Sequence, residues 1–101
     1  MKGSLHSFDW DAANTKKCEK HGVSIAEVEF LFMHTPTVYP DPRHSGEEIR
    51  HIAIGRNGTG RYIFVAFTYR QRGVMTIIRP ISARYMHQKE IRHYLSYEKE
   101  T

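Results

Sequence analysis

Arginine and tyrosine residues at the end of one apolar segment are the first candidates for chemistry in this sequence. The segment Val74–Tyr85 opens as a β-branched apolar run, which predicts a strand that is covered on both faces. Because Arg79 interrupts this run and Pro80 lacks the N–H that a β-ladder needs, we expect the strand to kink or end there. Arg84 and Tyr85 then follow at the start of a basic helix. Arginine binds phosphate oxygens through parallel hydrogen bonds, so this segment predicts an anion-binding platform.

Arg84 has two compatible interpretations. It can act as a phosphate clamp, which we rank first, or it can form a salt bridge with Glu90 six residues further on. The two roles can coexist, since a carboxylate often orients a functional arginine. Tyr85 could stack on a nucleic-acid base or donate a proton, although a tyrosine at a protein interface is the simpler account.

A Lys-His pair between two predicted helices is the second candidate. Lys20 would stabilise negative charge, and His21 would act as an acid or base that titrates near neutral pH. Both could instead serve only the end of the first helix, where cations suit the helix dipole and the next glycine can form a left-handed cap. Arg50 and His51 are neighbours on a predicted strand and point to opposite faces, so at most one can share the site.

The cysteine and the remaining histidines have weaker claims to chemistry. Cys18 would need a neighbouring base to become a nucleophile, but helix spacing directs Lys17 and Glu19 elsewhere, which favours a buried apolar role. A zinc site is possible on residue type alone, although the spacing of the ligands matches no compact pattern, and we predict no metal site. The residues considered for it are His34, Asp41, His44 and His51.

Size and composition predict one small soluble domain with an anionic partner. The chain has 101 residues, of which 40% are hydrophobic and 26% charged, so it can fold around one core without cross-links such as disulfide bonds. The net charge of +4 favours a polyanion or an acidic protein surface. A single cysteine excludes an internal disulfide, and neither a signal peptide nor a membrane span is apparent, so we expect a cytoplasmic protein.

The order of elements predicts an α+β fold, β-α-α-β-β-β-α, with helices packed on a largely antiparallel twisted sheet. Ser24 with Glu27 forms a capping-box pattern at the start of the second helix, whose apolar stripe should be core. The single domain spans residues 1–101, with an ordered core of about 5–97. The predicted elements are an edge strand at Leu5–Trp10, helices at Asp11–Lys20, from Ser24 and at Met86–Tyr97, an irregular loop at Thr35–Gly46, and strands at Glu48–Gly55, Tyr62–Tyr69 and from Val74.

Several short motifs, taken together and in this order, resemble the BrnT family of type II toxins. Each motif is weak alone, but the set covers about Phe8 to Tyr94 and is specific as a whole. The motifs are Asp9-Trp10-Asp11, Lys17 to Ser24, Pro40-Asp41-Pro42, His44-Ser45, Glu47 to Arg50, Ile54-Gly55-Arg56, and Ile81-Ser82-Ala83-Arg84 followed by Glu90.

The resemblance implies a ribonuclease toxin with a RelE-like fold that a cognate antitoxin neutralises. We therefore expect an endoribonuclease that cleaves RNA by 2′-hydroxyl attack, without a metal or another cofactor. The implied partners are RNA and a BrnA-like antitoxin, in a dimer of toxin–antitoxin heterodimers that reads DNA only through the antitoxin, and no membrane. The predicted catalytic residues are Arg84, Lys20, His21 and Glu90, and the predicted RNA-binding residues are Arg79, Tyr85, Arg50 and Arg92.

Two alternatives belong to other functional classes. A basic module without catalysis, such as a degenerate toxin, would bind RNA or a protein partner only. A metal-dependent hydrolase would use the histidines, and a chelator would separate it from a mechanism that relies on side chains alone.

Overall fold

Two capped helices begin the fold in a computed structural model that describes residues 7–100, with side chains to residue 98. The predicted capping box of Ser24 and Glu27 is confirmed, and Asp11 and Asn14 form a second one. Gly22 has φ +85° between the helices, as predicted for a left-handed cap. The helices are α1, Ala12–Glu19, and α2, Ile25–Met33.

Four antiparallel strands follow in the spatial order in which they occur in the chain. The second and third strands form a hairpin. An Asn-Gly pair such as Asn57-Gly58 suits left-handed turn positions, but the left-handed residue of this turn is Gly60, with φ +87°. The Asn57 side chain instead accepts hydrogen bonds from the backbone N–H groups of Thr59 and Arg61. The strands are β1, Thr37–Pro40; β2, Arg50–Arg56; β3, Tyr62–Arg72; and β4, Met75–Tyr85.

The predicted order of elements is wrong at the N-terminal half of the chain, and the observed order is α-α-β-β-β-β-α. The expected irregular loop Thr35–Gly46 contains β1, which pairs with β2 along its whole length. Of the expected edge strand, Leu5 and His6 lie outside the described residues. Phe8 forms an isolated parallel bridge with Ile78 of β4 instead of a strand.

The strand that contains Pro80 does not end there, but it is irregular at that point, so of the two expected outcomes, a kink or an end, only the end is wrong. The register shifts between Ala66 and Phe67, which pair with Ser82 and Pro80, so Ile81 is an extra residue in β4. A bulge on a strand at the edge of the sheet is where a proline can do without its ladder hydrogen bond. Because β4 continues past the bulge, its last residues stay in strand geometry.

The core lies between α1, α2 and one face of the sheet. Val28, Leu31 and Phe32 of α2 are buried in it, as the stripe of that helix predicts. Cys18 has no exposed surface, and burial, with the Glu19 charge, raises its pKa to about 11, which confirms the buried apolar interpretation. The core residues contributed by the sheet are Ala53, Ile63, Val65, Phe67, Ile78 and Ala83.

The last helix, α3, spans Gln88–Glu100 and lies on the opposite face of the sheet. The Tyr94 hydroxyl is 2.7 Å from Thr37 Oγ1, and the Tyr39 hydroxyl donates to Glu98 at 2.6 Å, so the helix reaches β1. Together the elements form a single α+β domain.

None of the helices within residues 7–100 is long and apolar enough to cross a membrane.

Candidate active site

The last two residues of β4 point to opposite faces of the sheet. Arg84 pairs across the ladder with Phe64, and Tyr85 pairs with Ile63, which is a core residue. Since side chains alternate along a strand, Arg84 shares the face that α3 covers, and Tyr85 shares the face of α1 and α2. The two residues of the predicted anion-binding platform therefore lie on different faces of the sheet, in different environments.

Arg84 and Glu90 form a two-point ion pair on the α3 side. Arg84 Nη1 and Nη2 donate to Glu90 Oε1 and Oε2, each at 2.8 Å, and the guanidinium carbon lies 4.5 Å from the Phe64 ring centroid. The Arg84 hydrogen bonds, with one from the His87 backbone N–H, lower the pKa of Glu90 to about 2. Hydrogen bonding to Glu90 in turn raises the pKa of Arg84. Both side chains remain about one-third exposed, at 36% and 34%.

A groove of about 830 Å³ runs between α3 and the sheet beside this pair. Phe64 and Glu90 line it, so Arg84, which contacts both, stands at its rim. Leu95 of α3 is not part of the groove lining, and its side chain is 46% exposed. The other groove residues are Tyr39, Ile54, Met86, His87, Lys89, His93, Tyr94 and Tyr97.

Tyr85 belongs to a separate cluster at the junction of α1 and α2. Its hydroxyl donates to Glu27 at 2.7 Å and to the Gly22 carbonyl at 3.2 Å. The Arg61 guanidinium carbon lies 3.6 Å from the centroid of its ring. The hydrogen bond to Glu27, together with burial, raises the pKa of Tyr85.

Glu27 is the acceptor that holds this cluster together. Burial alone would raise its pKa, but hydrogen bonds from Ser24, Tyr85 and Asn57 outweigh burial and bring the pKa to about 2. Arg61 and Glu27 were missed as site residues by sequence reasoning. The capping-box pattern revealed Glu27 only as a helix cap, and the Arg61–Tyr85 contact depends on the β2–β3 hairpin reaching the end of β4.

Lys20 and His21 lie in the turn just before Gly22, next to the Tyr85 cluster. Their side chains form no hydrogen bond or ion pair with any other residue in the described part of the chain. The structure therefore places Arg84 in contact with Glu90, whereas Lys20 and His21 only precede Gly22, whose carbonyl accepts a hydrogen bond from Tyr85 on the other face of the sheet.

Arg79 and Arg50 share the Arg84 face but lie further along the sheet. Both pair in the ladder with Thr68 of β3. Thr68 is four residues from Phe64, the partner of Arg84, which corresponds to about 13 Å at the usual rise of a strand. Arg79 is held by carboxylates, with Nη2 2.9 Å from Asp11 and Nη1 3.5 Å from Asp9. The Arg50 side chain has no such partner among residues 7–98.

Arg92 is exposed on α3, and no ion pair involves it where the structure describes the chain.

The histidines considered for zinc do not come together. His44 Nδ1 is 3.0 Å from Asp41, whereas His34 stacks on Phe30 at 3.9 Å between ring centroids, and His51 stacks on Phe67 at 5.5 Å. No group of three histidine, cysteine, aspartate or glutamate side chains within the described residues has the arrangement of a metal site.

Residues 10–90 match the family described as ribonuclease toxin, BrnT, of type II toxin–antitoxin systems. This match covers most of the 101-residue chain. The chain belongs to the BrnT family. No curated protein matches it. The BrnT match includes both Arg84 and Glu90, but it ends within the first turn of α3, so Tyr94 and Tyr97 of the groove lie beyond it.

Proposed function

We propose that this BrnT-family chain is a metal-independent endoribonuclease toxin with a RelE-like fold, acting in the cytoplasm. The observation that carries the proposal is the Arg84–Glu90 pair, which holds a partly exposed guanidinium at the rim of an aromatic groove. Family membership supplies the ribonuclease class. The arrangement of side chains supplies a way to bind the phosphate without a cation from solution.

The proposed reaction is an attack of the ribose 2′-oxygen on the adjacent phosphorus. A base takes the 2′-hydroxyl proton, and an acid gives a proton to the departing 5′-oxygen, which leaves a cyclic phosphate on one fragment and a 5′-hydroxyl on the other. Negative charge increases on the non-bridging oxygens in the transition state. A cation that is already in position there stabilises the transition state more than the bound substrate.

Arg84 suits this role because Glu90 does not use all of its donors. The guanidinium has five N–H groups, and the pair with Glu90 accounts for one on each terminal nitrogen. The remaining donors are available for phosphate oxygens on the exposed side. Glu90 acts as a positioning residue, since it fixes the plane of the guanidinium before RNA binds.

Proton transfer is assigned first to the histidines on the same face. His87 and His93 both line the groove beside Glu90, and an imidazole can act as a general acid or a general base. Lys20 and His21 are the alternative pair, on the side of the Tyr85 cluster. Replacing His87, His93 and His21 separately by alanine identifies the group as the one whose loss lowers the cleavage rate while the fold and RNA binding are retained.

A BrnA-like antitoxin is the proposed inhibitor, in a dimer of heterodimers in which the antitoxin alone reads DNA. Membership of a type II family supports a protein partner. The net charge of +4 supports an acidic face on that partner and an association that weakens with salt.

One observation favours a second function, a basic module without catalysis. Both terminal nitrogens of Arg84 are engaged by Glu90, and this contact ties the end of β4 to the start of α3. In such a module Arg84 would be structural only.

Induced expression decides between these two functions. If the chain is a nuclease, its expression should degrade cellular RNA and arrest growth, and the purified chain should cut RNA in the presence of EDTA. Intact RNA and normal growth, with soluble chain confirmed, would exclude the nuclease.

A further inference from the structure

We propose that the groove beneath α3 binds a single unstacked nucleobase, so that the substrate is single-stranded RNA. This inference rests on the proposed function and specifies its substrate class. The base would lie between α3 and the sheet while its phosphate contacts Arg84 at the rim.

The groove offers ring faces in fixed positions. Tyr94 and Tyr39 are tethered through their hydroxyls to Thr37 and Glu98, so both rings are held where α3 meets β1. Tyr97 lies 6.4 Å from Tyr39 between ring centroids, tilted by 60°, and is 54% exposed. Aromatic faces that are held in place and remain open to solvent are the usual platforms for unpaired bases.

The Phe64 ring connects the groove to the phosphate site. It lies under the Arg84 guanidinium at 4.5 Å and lines the groove as well. A nucleotide whose phosphate is bound by Arg84 would therefore have its base at the open end of the groove. A paired base could not enter, because a duplex keeps its bases stacked inside the helix.

The charge around the groove favours RNA over a protein segment. Lys89 lines it together with the tyrosines, Arg84 stands at the rim, and the negative charge of Glu90 is paired with Arg84. Lysine and arginine beside aromatic rings suit a polyanion that carries flat bases. A volume of about 830 Å³ is within the range of small-ligand sites.

Stacking should make this site tolerant of base identity. The Tyr39 hydroxyl already donates its proton to Glu98 and the Tyr94 hydroxyl is bonded to Thr37, so the contacts that these rings offer a base are mainly through their faces. Every base presents a similar ring face, and stacking therefore discriminates little between them.

The test measures binding of the full chain to short 2′-O-methyl RNA, which lacks the attacking hydroxyl and cannot be cut. Fluorescence anisotropy compares a single strand, the same strand with one abasic position moved along it, and the duplex. We expect the single strand to bind best, one abasic position to weaken binding about fivefold or more, and base identity at that position to matter little.

The variants are matched by residue type and exposure. Tyr97→Leu should weaken binding about fivefold or more, while Tyr97→Phe, which keeps the ring, should retain it. Tyr69, which is 47% exposed on β3 and outside the groove, supplies the control Tyr69→Leu, which should bind normally. Circular dichroism and melting verify that each variant is folded.

Three outcomes would overturn the inference: unchanged binding in folded Tyr97→Leu, equal binding of duplex and single strand, or no effect of any abasic position. Loss of antitoxin binding in Tyr97→Leu with RNA binding intact would assign the groove to a protein partner instead. Because the probe cannot be cleaved, these results do not depend on whether the wild-type chain cuts RNA. If the chain cuts RNA but its binding does not depend on Tyr97, only this inference is refuted. If binding depends on Tyr97 but the chain does not cut RNA, only the nuclease is refuted.

Discussion

Arg84 and Glu90 are joined by two parallel hydrogen bonds, Nη1 to Oε1 and Nη2 to Oε2, each 2.8 Å long. One partner is the penultimate residue of β4, and the other lies in the first turn of α3. The pair therefore orients a guanidinium at the groove and also fixes the start of the helix that forms the groove. A catalytic role predicts that mutation of the pair lowers activity, whereas a role in helix docking predicts that it lowers stability, so mutation can separate the two roles.

Arg84→Ala should abolish RNA cleavage while the domain stays folded. Removing a donor that acts mainly on transition-state charge typically lowers the rate about a hundredfold or more. A partly exposed ion pair contributes only about 1 kcal/mol to stability, so melting should change little. Arg84→Lys should recover little activity, because an ammonium group cannot reproduce the two parallel hydrogen bonds of a guanidinium. Cleavage rate and melting temperature are measured on the same preparations.

Arg43→Ala is the matched control for charge, since Arg43 is exposed, lies in the turn Pro42–His44 and is not among the groove residues. Its activity should equal that of the wild-type chain. Glu90→Gln tests the structural role. If Arg84→Ala and Glu90→Gln both melt early and their folded fractions still cut RNA, Arg84 is structural.

Glu27→Gln should destabilise the domain at neutral pH but much less in acid. Glu27 accepts hydrogen bonds from Ser24, Tyr85 and Asn57, and their loss should cost about 1–3 kcal/mol. Its pKa of about 2 in the folded chain is below the usual 4.5. The stabilisation is therefore complete above pH 4.5 and disappears as the pH falls toward 2.

Denaturant unfolding at pH 7 and pH 3 checks this prediction, with exposed Glu47→Gln as the control. A difference between wild type and Glu27→Gln that is as large at pH 3 as at pH 7 would show that the Glu27 charge is not involved.

The helices could be predicted because their signals are local. Ser24 and Glu27 cap α2 within four residues of chain, and Gly22 ends the preceding turn. β1 could not be predicted, since its four residues contain Pro40 and are strand only because they pair with β2. The continuation of β4 through Pro80 likewise depends on a bulge against β3 that leaves no mark in the sequence of β4.

The Arg84–Glu90 contact was predictable because it needs only the end of a strand and the first turn of the next helix. The separation of Arg84 from Tyr85 follows from strand alternation, but it was concealed by the expectation that the strand would kink or end near Pro80. The groove was missed for a different reason. Its lining combines Tyr39 of β1 with Tyr97 of α3, and only the tertiary fold brings these residues together.

Asn14→Ala should be strongly destabilising although it removes only a small polar group. Asn14 is 3% exposed, and its Nδ2 donates to the carbonyls of Asp9 and Pro80, each at 2.8 Å. Its Oδ1 also accepts from the Asp11 N–H at 2.7 Å. Leaving these groups unpaired should cost about 2–3 kcal/mol. The melting temperature should fall by roughly 10–20 °C for a domain of this size.

Lys16 is exposed and lies two residues after Asn14 in α1, so Lys16→Ala is the control and should melt like the wild-type chain. RNA cleavage by the folded fraction of Asn14→Ala should be normal, because Asn14 lies on the α1 side of the sheet. A melting temperature equal to that of Lys16→Ala would mean that water replaces the amide at little cost.

RNA cleavage by the wild-type chain should survive EDTA and decline with added salt. The proposed charge stabiliser is the Arg84 guanidinium, which a chelator does not remove. Salt acts on a different step, since RNA binding releases counterions and the logarithm of affinity falls by about 0.7 per phosphate contact for each tenfold rise in salt. Arg50→Ala removes a cation that forms no direct ion pair in the described chain, and it should flatten this dependence, as should Arg84→Ala. Activity lost in EDTA and restored by a divalent cation would show that a metal, and not the guanidinium, stabilises the transition state.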